Sequence, residues 1–415
     1  MHIGYNLFIA FYSMALCLLS PFHSKAALWY RGRKGFFRRL AGFDSGGRKL
    51  LWFHCASLGE FEQGRPVIEE IKKRDGNIFI LLTFFSPSGL EIRKNYPLAD
   101  AVCYLPADTT SNVRKFLDTF KPDIAVFVKY EFWFNYIAGL KRRNIPLYLI
   151  SANFRPDQVF FKWYGRWFKN MLHMFSHIFV QSDSSRNLLE SSGVKNVSVA
   201  GDTRFDRVRA LAGKSVEIPA AAAFSGDCFT IVAGSTWQPD HSLWVRFMNE
   251  TGHDVRLIIA PHEIDENEID KLLGRFRKRA VRYSRALTTD PGSASVLLID
   301  NIGLLSSLYR YGQLAYIGGG FGKGIHNVLE ACAYGLPVIF GPNYRKFREA
   351  RELIEAGGAF TVSNYKDLVT CVDDLIATPD KLNRRGEIAG NYVKNGTGAS
   401  SLIADRILFT LISQR

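Results

Sequence analysis

The sequence predicts an α/β protein built from two doubly wound domains facing each other across a cleft, with an apolar helix at its N-terminus. Three observations predict it. At 415 residues, 47% of them apolar and 22% charged, the chain is globular in composition and long enough for two domains. Short apolar runs alternate with longer amphipathic stretches in two successive series, the pattern of crossover units and parallel sheets. The opening segment stands apart, since Ile3 to Phe22 carries no formal charge, and about twenty such residues match a bilayer-crossing helix.

That opening segment reads as an anchor. A cleaved signal peptide would place positive charge ahead of the apolar run and none is there, although Ser24-Lys25-Ala26 resembles a small-x-small cleavage site. A buried core helix competes less well, because Lys25 to Lys49 holds eight basic residues against the single acid Asp44, half of the net charge of +14. A basic flank after the apolar run keeps the rest of the chain on the cytoplasmic side, and it attracts anionic lipid. Residues 1–22 are expected to anchor the protein, across the bilayer or within one leaflet, and residues 23–49 to form a basic juxtamembrane segment. The six cysteines show no C-x-x-C pair and no metal-ligand spacing with histidine, as expected of a reduced, cytosolic fold.

In the first series, strands are expected at 50–56, 77–84, 101–104, 123–128, 146–150, 177–180 and 197–200, each short, β-branched or aromatic, and bounded by turn residues. Helices fall between them, as at 60–74 and 111–119, and the first domain covers 50–209. Residues 210–227 break the rhythm with Pro219 and an alanine run and are the expected linker. The second series places strands at 229–233, 255–260, 296–300, 314–318, 337–340 and 359–362. Its helices lie near 239–249, 264–278, 327–334 and 344–356, giving a second domain over 228–395. Residues 396–415 are expected to form a helix that packs back on the first domain.

Ligands of doubly wound sheets sit at the carboxyl ends of the strands, so the turns there are the candidate sites. Ser57-Leu58-Gly59-Glu60 follows the first strand. Glu60 is either an acid favoured by the helix macrodipole or, near apolar neighbours such as Phe61, a general base with a raised pKa. Gly234-Ser235-Thr236 stands at a strand-to-helix turn, where backbone N–H groups and hydroxyls bind phosphate or merely cap the helix. It lacks the spacing of a Walker loop or a dinucleotide fingerprint. The most specific stretch runs from Tyr316 to Glu330, with five glycines in the seven residues 318–324, Gly320 among them. Glycines let backbone approach a ligand closely. His326 and Asn327 then open a helix, and Glu330, one turn on, is placed to accept from ribose hydroxyls. Glu131 lies in Tyr130-Glu131-Phe132-Trp133-Phe134-Asn135 at another strand end. Residues 160–169 interleave aromatics with bases, as interfacial segments do, as single-stranded nucleic-acid platforms do, or as a core helix with solvated Lys and Arg does.

Taken together, these motifs resemble the Kdo transferases (3-deoxy-D-manno-octulosonic acid transferases, glycosyltransferase family 30). The likeness runs from the apolar N-terminus through Ser57-Leu58-Gly59-Glu60, Ser86-Pro87-Ser88-Gly89, Gly201-Asp202-Thr203-Arg204-Phe205-Asp206 and Gly234-Ser235-Thr236 to His326-Asn327 and Glu330. The resemblance implies a GT-B fold, CMP-Kdo as donor, the lipid A precursor as acceptor, inversion at the anomeric carbon, and no metal or other cofactor. Glu60 matches the family's catalytic base, Gly234, Ser235 and Thr236 its donor phosphate loop, and His326, Asn327 and Glu330 its CMP-binding helix. Arg204 stands where the family usually has Lys, keeping a cation for the donor's carboxylate or phosphate. His262 and Gly320 are further donor-side candidates, and Ser57, Gly59, Ser86, Glu131 and Arg155 are acceptor-side ones. The sequence also departs from the family. Glu-Thr-Glu-x-Trp-Pro-Asn becomes Lys129 to Asn135 with only the second acid kept, Pro-Arg-His becomes Pro261-His262-Glu263, and Ile325 replaces a glycine.

The chemistry agrees with the resemblance. Transfer from a CMP-activated sugar needs a base for the incoming hydroxyl, and cations or aimed N–H groups for the departing phosphate. No Asp-x-Asp pair is present to chelate a divalent ion on the donor. The expected partners are CMP-Kdo, the lipid A precursor and anionic inner-membrane lipids, with no nucleic acid. Two rival readings stay open: a GT-B enzyme acting on a UDP-sugar, and a non-enzymatic basic protein that binds membrane or nucleic acid.

Overall fold

Residues Leu50 to Cys55 are buried on both faces, as a central strand of a parallel sheet requires, and they form β1 (Leu50–Cys55) at the heart of the first sheet. The computed structural model describes residues 2–286 and 290–413; Met1 of the expected anchor and residues 414–415 of the expected terminal helix lie outside them. Among the described residues, β1 is joined by β2 (Phe79–Phe84), β3 (Ala101–Tyr104), β4 (Ile124–Val128), β5 (Leu147–Ala152), β6 (His177–Val180) and β7 (Val197–Val199), in the order β3-β2-β1-β4-β5-β6-β7. Every pairing is parallel, with His54 opposite Thr83 on one side and Phe127 on the other. Alternate side chains enter opposite layers. Leu50 and Trp52 join Phe116, Phe127 and Tyr136, whereas Leu51, Phe53 and Cys55 join Phe61, Ile68 and Ile407. Chain order reverses between β1 and β4, and the gap left at their carboxyl ends is where such sheets bind ligands.

The second sheet repeats the plan with β8 (Phe229–Thr236), β9 (Val255–Pro261), β10 (Ala280–Arg282), β11 (Val296–Leu298), β12 (Leu314–Ile317), β13 (Val338–Phe340) and β14 (Ala359–Thr361), in the order β10-β11-β9-β8-β12-β13-β14. Its reversal lies between β8 and β12, whose ends carry the two glycine-bearing turns. The chain forms two units, Met1–Asp206 with Thr397–Arg415, and Arg207–Gly396. The helix Ala399–Ser413 belongs to the first, where Ile403, Ile407 and Leu411 share a core with Phe61 and Ile68 of the helix Leu58–Arg74. Asp206 holds the start of this helix by accepting from the Gly398 and Ser400 N–H groups at 2.6 and 2.7 Å.

Two expectations need correction. Residues 210–227 are not a linker. The units divide within the helix Thr203–Gly213, and Pro219–Ser225 is a helix with Ala220, Ala221 and Phe224 in the core of the second unit. An alanine run has no periodic pattern to read, yet it makes good helix, and Pro219 suits the first helical position. The expected helix over 264–278 ends at Leu273, and β10 follows as a short edge strand anchored by Arg282, which pairs with Glu266 at 2.5 Å and with Asp270. The basic segment 23–49 is in part held to the first unit. The Arg33 guanidinium donates to the carbonyls of Leu105 and Phe85, both at 2.8 Å, while Arg48 and Lys49 pair with Asp100 and Asp123 at 2.6 and 2.8 Å.

By length and composition the helix His2–Leu19 could cross a membrane. Its polar residues face the first unit: the Tyr5 hydroxyl donates to Asp108 at 2.5 Å, and Asn135 donates to the Asn6 side-chain oxygen at 2.8 Å. Ile3, Leu7, Phe8, Phe11, Met14 and Leu18 are exposed.

Candidate active site

Where β1 ends, Ala56 and Ser57 turn the chain into the helix Leu58–Arg74. Ser57 is the N-cap residue but makes no side-chain cap bond, so its hydroxyl is not spent on the helix. Gly59 is exposed with no atom crowding it, which leaves the turn open. Glu60, in the first turn, folds back so that the Ala56 N–H donates to its carboxylate. Burial, and after it the negative charge of Glu131, raises the Glu60 pKa to about 8, against the pull of Lys129 and the Ala56 and Ser57 N–H groups. A carboxylate titrating there is poised to take a proton near neutral pH.

Glu131 sits behind this site rather than in it. It is 6% exposed; Trp133 Nε1 donates to it at 2.6 Å and His54 Nε2 lies 2.8 Å away. His54 Nδ1 in turn lies 2.9 Å from Thr83 Oγ1, which also accepts from Trp52 Nε1 at 2.8 Å. The carboxylate is held by this network and reaches Glu60 as charge. Ser86 does lie beside the Glu60 turn, its N–H donating to the Ala56 carbonyl at 2.7 Å, and its hydroxyl caps the helix Pro87–Arg93. Arg155 does not join them: its exposed side chain lies 3.5 Å from Asp157.

In the second unit the sheet brings most of the donor-side candidates together. Gly234, Ser235 and Thr236 do not turn off the strand as expected; they remain in β8, with an irregular register against β9 between Gly234 and Thr236. Ser235 has a φ of +52°, a left-handed conformation that costs energy for a non-glycine residue and is found at functional turns. Thr236 Oγ1 points inward, 3.0 Å from His241 Nε2, so its hydroxyl is structural. The glycine-rich turn packs directly on this segment: a Cβ at Gly318 would come within 2.3 Å of the Ser235 carbonyl oxygen, and one at Gly320 within 2.5 Å of the Gly341 nitrogen. His262 and His326 stack with centroids 4.2 Å apart, and Trp237 Nε1 donates to His326 Nε2 at 2.9 Å. Burial and the neighbouring His262 lower the His326 pKa, favouring the neutral ring.

Asn327 and Glu330 are joined by a 3.0 Å bond from the Asn327 amide, and the Asn327 oxygen caps the Leu329 N–H at 3.2 Å. The helix expected to open at His326 is the single turn Leu329–Cys332; His326 and Asn327 precede it, and Glu330 lies in it. Burial raises the Glu330 pKa, while Asn327 and Arg207 oppose the shift. Arg204 belongs to the first unit, where it holds Asp202 Oδ2 at 2.9 and 2.7 Å. Among the described residues no group of three or more His, Cys, Asp or Glu side chains is placed to hold a metal ion.

The sequence reading missed the residues that hold these turns. Asp240 accepts from the Trp237 N–H at 2.8 Å, the Gly319 N–H at 3.0 Å and the Tyr316 hydroxyl at 2.5 Å, tying both turns together. An acid three residues after a helix start is a capping signal, and it was the one available clue. His54 and Trp133 left no comparable trace.

Residues 30–207 match the family model described as 3-deoxy-D-manno-octulosonic-acid transferase (kdotransferase). A 3-deoxy-D-manno-octulosonic acid transferase of Aquifex aeolicus (strain VF5) is 28% identical over 354 residues, covering 83% of this chain and 92% of that protein. One from Bordetella pertussis is 25% identical over 376 residues, covering 86% of each. Among solved structures, the UDP-GlcNAc 2-epimerase of Neisseria meningitidis superposes with a TM-score of 0.60 at 18% identity, covering 88% of this chain and all of that one. A glycosyltransferase of Rickettsia africae ESF-5 superposes with a TM-score of 0.55 at 12% identity, covering 88% and 98%. The structural likeness is one of fold, the GT-B arrangement of two parallel-sheet α/β domains.

Proposed function

We propose that this chain, similar over most of its length to the 3-deoxy-D-manno-octulosonic acid transferases, is a glycosyltransferase that carries Kdo from CMP-Kdo to a hydroxyl of the lipid A precursor, with inversion and without a metal. The observation that carries this reading is Glu60, a carboxylate at the carboxyl end of β1, beside the reversal in strand order, with its pKa raised to about 8.

In this reading Glu60 accepts the proton of the acceptor hydroxyl as its oxygen bonds to the anomeric carbon. The bond from that carbon to the CMP phosphate breaks on the opposite face, its electron pair leaving with the phosphate. Opposed entry and departure invert the centre. The Ser235 segment of β8, the glycine-rich turn and the neutral His326 supply backbone N–H groups and a ring for the nucleotide, and Asn327 and Glu330 supply polar atoms for its ribose. The apolar outer face of the helix His2–Leu19 and the exposed Trp163 and Tyr164, 93% and 56% accessible and flanked by Lys162 and Arg166, support attachment to the cytoplasmic face of the inner membrane through anionic lipid.

Incubating the protein with CMP-Kdo and lipid A precursor and weighing the products tests the reaction. Wild-type protein is expected to add Kdo with chelator present, to be protected from thermal unfolding by CMP in preference to UDP, and to bind no DNA at moderate salt. A Glu60→Gln protein that binds CMP and transfers at the wild-type rate would remove Glu60 from its role.

A further inference from the structure

Beside the Glu60 turn lies a groove that nothing so far has used. Its volume is about 320 Å³, within the range of small-molecule sites. Tyr12, Leu16 and Leu19 of the N-terminal helix form one wall, Trp29 of the helix Ser24–Arg33 the floor, and Phe85 and Pro87, after β2, the other wall. His23, Lys25, Ala26 and Ser86 complete its lining. We infer that this groove seats one acyl chain of the lipid that accepts the sugar.

Three observations choose that occupant. The groove adjoins the reaction site, because Phe85 and Ser86 donate to the Cys55 and Ala56 carbonyls at 3.3 and 2.7 Å, and the Ala56 N–H donates to Glu60. A chain lying against Phe85 therefore enters two hydrogen bonds from the base. The same helix that lines the groove shows Phe8, Phe11 and Leu18 to the outside, so an acyl chain has an apolar route from a lipid surface. Lys25 adds an exposed cation to the lining, complementary to an anionic group on a lipid. An aqueous sugar or a nucleotide would leave the apolar walls without a use.

The groove requires the N-terminal helix to stay docked through Tyr5 and Asn6 while the enzyme works. The inference rests on a lipid acceptor, so the experiment separates the two. The full chain in mixed micelles is irradiated with a photoreactive fatty-acid analogue carrying a diazirine near the chain end, and the labelled residues are mapped. Label is expected on Trp29 and Phe85, competed by the lipid A precursor, and reduced about tenfold by Leu16→Trp, which fills the groove. Leu18→Trp, on the outward face, controls for surface binding. In kinetics, Leu16→Trp is expected to lower the ratio of kcat/KM for acylated over deacylated acceptor about tenfold. Label confined to Phe8 and Phe11 and indifferent to Leu16→Trp overturns the inference even if Kdo is transferred. Label on Trp29 and Phe85 without any transfer to lipid upholds the groove and refutes the acceptor.

Discussion

Glu60 and Glu131 share one electrostatic problem. An ordinary glutamate titrates near 4.5, whereas Glu60 in the fold titrates near 8, so the folded protein holds that proton more tightly than the unfolded chain. The folded state therefore loses stability from this residue as pH rises from the unfolded value through 8. Glu60→Gln removes the loss: it should melt above wild type at about pH 8 to 9 and converge with it near about pH 4, while transfer drops about 10²- to 10⁴-fold. Melting curves across that range, paired with transfer assays, check both halves, and identical melting at every pH would contradict the burial. Wild-type kcat/KM should climb about tenfold per pH unit toward a plateau above 8. Since the charge of Glu131 is the second cause of the raised pKa, Glu131→Gln should slide that rising limb to lower pH. A purely structural defect would lower the whole profile without moving its midpoint, so the position of the limb in a pH–rate series decides between them.

The turns at the ends of β8 and β12 work because Asp240, in the first turn of the helix Gln238–Glu250, is 1% exposed and accepts from Trp237, Gly319 and Tyr316 together. Asp240→Asn can keep one oxygen for the Trp237 and Gly319 N–H groups but turns its amide toward the Tyr316 hydroxyl. It should cost about 1–3 kcal/mol and weaken CMP binding measured by calorimetry, with Glu60-side properties such as the pH limb unmoved. This class of contact explains what was legible beforehand. Central strands such as β1, β2 and β4 were readable because burial on both faces makes them unbroken apolar runs. Glycines marked the turns for the same local reason: the backbone positions at 318 and 320 leave no room for a Cβ. The three residues of β10, the alanine helix over 219–225 and the one-turn helix at 329 were not legible, since none has a period to detect. The networks were hidden for another reason. His54 and Glu131 are 77 positions apart and Asp240 and Gly319 are 79, distances at which only the assembled sheet creates a neighbour.

The first unit is discontinuous in sequence, and that shapes how the whole chain is stabilised. Its sheet and the helix Leu58–Arg74 are complete only when the last segment returns, bringing Ile403, Ile407 and Leu411 against Phe61, Val67 and Ile71. The helix that carries Glu60 at its N-terminus is thus buried along its length by residues more than three hundred positions away, and Arg74 adds a bond to Ser401 at 2.6 Å. Closing so long a loop costs only slowly increasing entropy, so the apolar contact outweighs it. Ile407 is fully buried, and Ile407→Ala leaves a cavity worth about 2–5 kcal/mol. The loss should appear where the contact is: hydrogen exchange should quicken in β1 and in the helix Leu58–Arg74, while β8 and β9 of the second unit keep their protection. Transfer should fall with CMP affinity retained, because the damaged element positions the base and not the nucleotide. Exchange that quickens equally in β8 and β9 would show instead that the terminal helix stabilises the chain as one cooperative body, and would remove the special link between its return and Glu60.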